Sequence, residues 1–391
     1  MERAMIFVRA KRWLLLGIVI VLVVGCAQRV LTQTPVATHD APIYWPTAGW
    51  RSTTPEEQGM DSDQLSEMLG TIQEQNYEID SVTIVRNGYM IADARIHPFS
   101  STSKHNIYSC TKSVVSALIG IAIDEGYIEG MQQPVLSFFP KQTIVNRDAN
   151  KNAMTLEHLL TMTTGIRCED SYLYSWTGLN QMRESEDWVQ FVLDLPMQGE
   201  PGAQFEYCNG ASFLLSAIIQ ETTGKSAIEF AEEHLFGPLG ISDIDWSSSP
   251  QGISIGYSEL RMHPHDMAKI GYLYLNDGQW DGEQIIPSEW VRASTSKFIS
   301  ATLEDGYGYQ WWVDDSGMYL ALGYRGQFIF VIPEKEMVVV FTSSLEDSDF
   351  YVPQTLLNEF IIPAAIASSA LPDNPEGVAL LESLIEELAS P

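Results

Sequence analysis

Short β-type runs stand near both ends of this chain, with a long helix-patterned stretch between them, and that arrangement limits the available folds more than any other feature. The first runs are Ser81–Arg86 and Tyr89–Ile96, joined by Asn87-Gly88, a dipeptide suited to a two-residue hairpin turn. The later runs are Tyr309–Val313, Met318–Leu322, Gln327–Ile332 and Met337–Thr342, punctuated by Gly323, Gly326 and Pro333. Helical spacing predominates between the two groups, most clearly over Leu156–Met162, Asp187–Leu193, Gly210–Thr222, Ser226–Leu235 and His265–Asn276. Asp61–Ile72 places Leu65, Met68, Leu69 and Ile72 on one helical face. Tyr351–Ser369 and Glu376–Ala389 read as helices after the last strand. The expectation is an α+β fold: an antiparallel sheet flanked by helices and built from both chain ends, plus an inserted, mostly helical domain at about residues 125–260.

Ser113–Ile123 is apolar nearly all round, the mark of a buried helix, and it ends near Gly126. Ser109 opens this helix, with Lys112 three residues on. A serine hydroxyl needs a neighbouring base before it can attack, and residues three apart on a helix face the same way. A desolvated lysine, its pKa lowered, can be that base. Ser-x-x-Lys is a weak pattern alone, and Ser101–Lys104 and Ser294–Lys297 match it too. Only Ser109 leads into a long buried helix, whose N-terminal N–H groups favour developing negative charge. The ordinary reading of Ser109 is a plain helix cap.

Tyr207-Cys208-Asn209 precedes a second buried helix. Tyr207 can pass a proton, and Asn209 can orient a lysine or bind a carbonyl. Tyr274-Leu275-Asn276 repeats the pattern at a helix end and serves as a decoy. No Gly-x-Ser-x-Gly elbow occurs, and Thr223-Gly224-Lys225-Ser226 lacks the upstream glycine of a phosphate loop. His263 and His265 have no evident third ligand, so neither metal nor cofactor is expected.

The chain has 391 residues and a net charge of −29, which disfavours nucleic acid and anionic headgroups as partners. Its four cysteines are Cys26, Cys110, Cys168 and Cys208. With Cys26 used at the N-terminus an odd number remains, so no disulfide framework follows, and Cys110 and Cys208 read as small buried apolar residues. Residues 1–26 carry a basic start and an apolar run, Trp13–Val24, too short for a confident membrane span. They form either a cleaved signal or an uncleaved anchor helix starting near Ala4; both export the body and hold it at a membrane. Residues 27–45 form a tether rich in Thr, Pro and Ala, and residues 46–391 the catalytic body.

Taken together, these segments resemble the serine β-lactamase and penicillin-binding-protein superfamily, especially its class C-like esterases and amidases, which include the 6-aminohexanoate-dimer hydrolases. Ser109-Cys110-Thr111-Lys112 is similar to the family's nucleophile motif and Tyr207-Cys208-Asn209 to its tyrosine motif. Leu159–Gly165, Pro201–Phe205, Leu235–Gly240 and Asp266–Lys269 match in the expected order. The resemblance implies a β-lactamase/transpeptidase-like fold and two-step acyl transfer on a small ester or amide, with Ser109, Lys112 and Tyr207 catalytic. A D,D-peptidase or β-lactamase acting on peptidoglycan-like amides is the alternative enzyme, and a non-catalytic penicillin sensor the alternative binder. Val23-Val24-Gly25-Cys26 resembles a bacterial lipobox, which implies lipid on Cys26 and an extracytoplasmic, membrane-anchored envelope protein. The third family motif falls at Gly323–Gln327, where Tyr324 replaces the usual lysine or histidine. Gly326 and Gln327 still fit, and the Gln327 N–H is expected to join that of Ser109 as an oxyanion hole. Arg325, next to Tyr324 on a strand, is expected to point away from it.

Overall fold

A computed structural model describes residues 44–170 and 176–391. The Cys26 lipid or anchor assignment and the tether up to residue 43 lie outside the described residues. Seven strands form the main sheet: β1 (Ile79–Arg86), β2 (Tyr89–Arg95), β3 (Gly306–Tyr307), β4 (Trp312–Val313), β5 (Tyr319–Gly323), β6 (Gln327–Ile332) and β7 (Met337–Ser343). Their order is β2-β1-β7-β6-β5-β4-β3, antiparallel throughout, so the two chain ends meet where β1 pairs with β7. Arg86 lies opposite Met337 and Ser81 opposite Thr342, whose hydroxyls are 2.6 Å apart. Every residue of β1, β6 and β7 is buried, as expected of strands covered on both faces.

Six longer helices organise the rest: α1 (Ser62–Gln75), α2 (Thr111–Asp124), α3 (Thr177–Glu184), α4 (Asn209–Thr223), α5 (Pro264–Leu275) and α6 (Pro375–Leu388). Asp61 caps α1 through the Asp63 N–H, and Leu65, Met68, Leu69 and Ile72 are all buried on one side of it. α1 packs on α6, α5 lies along β7, β6 and β1, and α2 packs against α4. Twelve of the fourteen residues of α2 are buried, which places the residues at its start deep in the molecule.

Three elements differ from expectation. Tyr309–Val313 is not one strand: Gln310 takes a left-handed conformation, φ 62°, and its side-chain amide serves the carbonyls of Leu159 and Leu160. The ladder therefore breaks between β3 and β4. Ser226–Leu235 is helical over Ala227–Ala231 and then widens into a π-type turn, Glu232–Phe236. The helix expected over Tyr351–Ser369 is split into Val352–Leu356, a wide turn over Leu357–Ile361, and Ile362–Ala364, where Pro363 has no N–H to continue the ladder.

Candidate active site

Ser109 sits in a tight turn, Tyr108–Cys110, immediately before α2, and Lys112 lies in the first turn of that helix. β5 passes close beside this turn. A side chain at Gly323 would place its Cβ 2.4 Å from the Ile107 carbonyl and 3.3 Å from the Cys110 sulfur, so glycine alone permits the approach. The Cys110 thiol donates to the Gln327 carbonyl at 3.5 Å, which sets the start of β6 against the residue following Ser109. Cys110 is buried and free, as expected. Burial pushes its thiol far up, so it stays protonated and inert.

Lys112 is 1% exposed. Its Nζ donates to the Ser109 Oγ at 3.0 Å, the Asn209 Oδ1 at 2.9 Å and the Tyr257 carbonyl at 2.9 Å. Two of these partners can only accept. When the amine is neutral, its two hydrogens stay on Asn209 and Tyr257, and its lone pair faces the Ser109 hydroxyl. Burial lowers the Lys112 pKa to about 7, against the opposing pull of the Asp170 carboxylate. A base poised there is half neutral near physiological pH.

Tyr207 is partly exposed and stands at the same hydroxyl. Burial of its phenol raises the pKa well above the ordinary tyrosine value, and a hydrogen bond with Ser109 offsets part of that rise. The Lys112 Nζ lies 4.8 Å from the centre of the Tyr207 ring, over its face. That placement is a cation–π contact and gives a phenolate little support. Of the two, Lys112 is therefore the one that changes charge near neutrality, and Tyr207 remains a neutral phenol. Trp312 stacks on the Tyr207 ring at 6.0 Å and holds it in place.

The two other Ser-x-x-Lys patterns are excluded by their surroundings. Lys104 is held between Asp243 and Asp245, at 2.7 and 2.8 Å, and Ser101 lies exposed in a turn. Ser294 is fully buried with its hydroxyl on the Val291 carbonyl, while Lys297 faces Asp315. The decoy Tyr274 is buried within α5. His263 and His265 diverge, the first to Asp243 and the second to Asp93.

At the third motif, Tyr324, Arg325 and Gly326 form the turn between β5 and β6. Tyr324 is 43% exposed and meets the edge of Tyr108, the neighbour of Ser109, at 5.6 Å. The Arg325 guanidinium is tied to the carbonyls of Ser344 and Leu345. The Gln327 side chain is buried and donates to the carbonyls of Ser343, Tyr324 and Arg325; it clamps the hairpin and leaves only its backbone toward Ser109.

One cysteine expectation fails. Cys208 is not a lone buried cysteine, because it forms a disulfide with Cys168. The bond joins segments 40 residues apart, a pairing no local pattern announces. Its sulfur also accepts the Ala211 N–H and so caps α4. Two other contributors escaped the sequence. Tyr257 acts through a backbone carbonyl, which has no residue-type signature. Asp170, 5% exposed, accepts the Asn209 N–H at 2.7 Å.

Residues 56–360 match the family described as Beta-lactamase. The chain is 23% identical over 323 residues to the 6-aminohexanoate-dimer hydrolase of Paenarthrobacter ureafaciens, covering 76% of this chain and 81% of that protein. Among solved structures it is similar to EstCE1, a hydrolase with promiscuous acyltransferase activity, with TM-score 0.65, 14% identity and coverage of 76% of this chain and 99% of that one. It is likewise similar to the octameric penicillin-binding protein homologue from Pyrococcus abyssi, with TM-score 0.61, 21% identity and coverage of 76% and 78%.

Proposed function

The chain belongs to the Beta-lactamase family, and from that premise we propose that it is a serine hydrolase cleaving neutral ester or amide substrates through an acyl-enzyme on Ser109. The observation that carries this reading is the Lys112 amine, 3.0 Å from the Ser109 Oγ, with its other two contacts on groups that can only accept. Ser109 attacks the substrate carbonyl while Lys112 takes its proton. The proton held by Lys112 then reaches the leaving alcohol or amine through Tyr207, whose phenol gives up its own proton and takes that one in its place, so Lys112 is neutral again and Tyr207 a phenol. Water then adds to the acyl-enzyme by the reverse use of the same groups and releases the acid. The N–H groups of Ser109 and Gln327 receive the oxyanion. The esterase and hydrolase relatives support the reaction class.

Neutral substrates suit the rim. Tyr324 and Tyr108 present aromatic surface there, and the Arg325 guanidinium is turned toward the Ser344 and Leu345 carbonyls. Penicillins and D-Ala-D-Ala peptides, both anionic, fit such a rim poorly. The envelope location belongs to the same proposal: the Cys168–Cys208 disulfide supports export, because such bonds persist in oxidising compartments. Intact-mass measurement after a fluorophosphonate, and separately after a penicillin, tests the reading. One fluorophosphonate adduct on Ser109 and no lasting penicillin adduct is the expected result. A stable penicillin adduct would favour a penicillin-binding role, and the absence of any fluorophosphonate adduct would sink the hydrolase reading.

A further inference from the structure

Asp170 is a costly residue to keep where it is. A carboxylate 95% removed from solvent needs partners for both oxygens. Its Oδ2 accepts the Asn209 N–H at 2.7 Å, and the Leu179 N–H in the first turn of α3 also supports the carboxylate, while its Oδ1 has no partner of full hydrogen-bond geometry among the described residues.

Its surroundings are nonetheless built closely. Cys168, two residues before Asp170, is bonded to Cys208, the residue between Tyr207 and Asn209. One covalent bond thus ties the Asp170 segment to the very start of α4. α3 presses on the segment from the other side. At Gly178 an added Cβ would fall 1.7 Å from the Cys168 carbonyl oxygen and 3.0 Å from the Asp170 Oδ1, so that position tolerates no side chain. The Asn209 N–H is one of the first N–H groups of α4, which have no acceptor within the helix and favour a negative partner. Asn209 in turn presents its Oδ1 to Lys112 at 2.9 Å. The chain of contact runs Cys168, Asp170, Asn209, Lys112, Ser109.

We propose that Asp170, clamped by the Cys168–Cys208 disulfide, is a positioning residue of the hydrolase site, holding Asn209 so that the Lys112 amine keeps its lone pair on Ser109. This rests on the hydrolase reading above. Asp170 touches no reacting atom. Its effect passes through Asn209 by geometry and reaches Lys112 by charge. Among the described residues, the titratable groups within electrostatic reach of Asp170 are Lys112 on α2, Glu206 and Tyr207 before α4, and Tyr257. Of these, Lys112 is the one cation, and a carboxylate beside it favours the ammonium.

The test uses full-length protein and a neutral p-nitrophenyl ester, with rates expressed per fluorophosphonate-titrated site. Asp170→Ala should lower kcat about 10- to 100-fold, the usual cost of misplacing a catalytic group, with KM nearly unchanged. Asp170→Asn keeps an acceptor for Asn209 and should recover most of that kcat. It should also move the acid limb of kcat/KM to lower pH, because the charge favouring the Lys112 ammonium is gone. Wild type reduced at Cys168 and Cys208, verified by thiol alkylation and mass, should lose kcat per site as Asp170→Ala does. A purely structural role would lower the number of titratable sites and leave both kcat per site and the acid limb where they were. That result overturns the proposal. If Asp170→Ala does not fold, the reduced wild type decides, and an unchanged kcat per site overturns it equally. Wild type that takes no fluorophosphonate on Ser109 refutes the hydrolase reading instead, a distinguishable failure.

Discussion

Acidification should silence the enzyme by charging Lys112, and the structure sets the scale. Burial takes this amine from an ordinary 10.5 to about 7. That lowering raises the neutral fraction at pH 7 from roughly one in 3,000 to about one half, a free-energy difference of about 5 kcal/mol. At pH 5 only about 1% of the amine would remain neutral, so kcat/KM should fall by up to about 100-fold from its plateau. Asp170, pushed up by burial to about 6, modifies the lower end. Its protonation removes a charge that favours the ammonium, so the limb should flatten below pH 6 rather than steepen. The assay is hydrolysis of p-nitrophenyl butyrate from pH 4.5 to 9, read at the isosbestic wavelength of the product. A flat profile between pH 5 and 8, or a limb in the ordinary carboxylate range, would refute Lys112 as the base. The same shift has a stability signature of definite sign. A lysine whose folded pKa is lowered destabilises the fold fully below that pKa, and the penalty fades as pH rises toward the unfolded value. Lys112→Met should therefore stabilise the protein at pH 6, by on the order of 1 kcal/mol once the two orphaned acceptors are counted, and lose that advantage toward pH 10.

Other outcomes follow from the same geometry. Ser109→Ala should abolish ester hydrolysis while Ser101→Ala and Ser294→Ala leave turnover intact; activity in Ser109→Ala would remove the nucleophile assignment. Lys112→Ala and Tyr207→Phe should each lose about 100-fold or more in kcat, and the double variant far less than the product, since both act on one hydroxyl. Tyr324→Lys should improve kcat/KM for carboxylate-bearing substrates relative to neutral esters. Arg325→Ala should leave that preference unchanged and lower the melting temperature, because its guanidinium holds the Ser344 and Leu345 carbonyls. Cells fed a clickable fatty acid should yield protein labelled at Cys26; unlabelled protein still carrying residues 1–25 would favour the anchor helix.

The legible parts of the sequence were those governed by local rules. Asn87-Gly88 announces its hairpin because few other dipeptides accept the turn, and the apolar circumference of α2 marks it as buried wherever it lies. Ser109 could be chosen among three candidates because the helix behind it is a local fact. The reasons the other two fail are not local: Asp243 and Asp245 come to Lys104 from more than a hundred residues away. A separation of 40 residues hid the Cys168–Cys208 bond, and a similar one hid the contact of Asp170 with Asn209. The Tyr257 carbonyl was hidden differently, since every residue owns one and only the folded path decides which reaches the lysine. Gln327 was read as a substrate-side residue from its motif; its backbone remains available for that, whereas its side chain went to the hairpin, where three carbonyls needed a donor.

The pairing of β1 with β7 also governs how such a chain can be made. Arg86 and Met337 lie opposite each other in the ladder, so the first strand of the sheet waits for one of the last before its inner edge is covered. The loop to be closed is long, and its entropy must be met before the pairing yields anything. A ribosome delivering this protein from its N-terminus therefore releases a hairpin with an open, apolar edge, which cannot settle into the native sheet until nearly the whole chain has emerged. For a chain threaded across a membrane while unfolded, that delay is an advantage. The Ser109 turn, braced by β5 and β6, takes shape only once those late strands are in place.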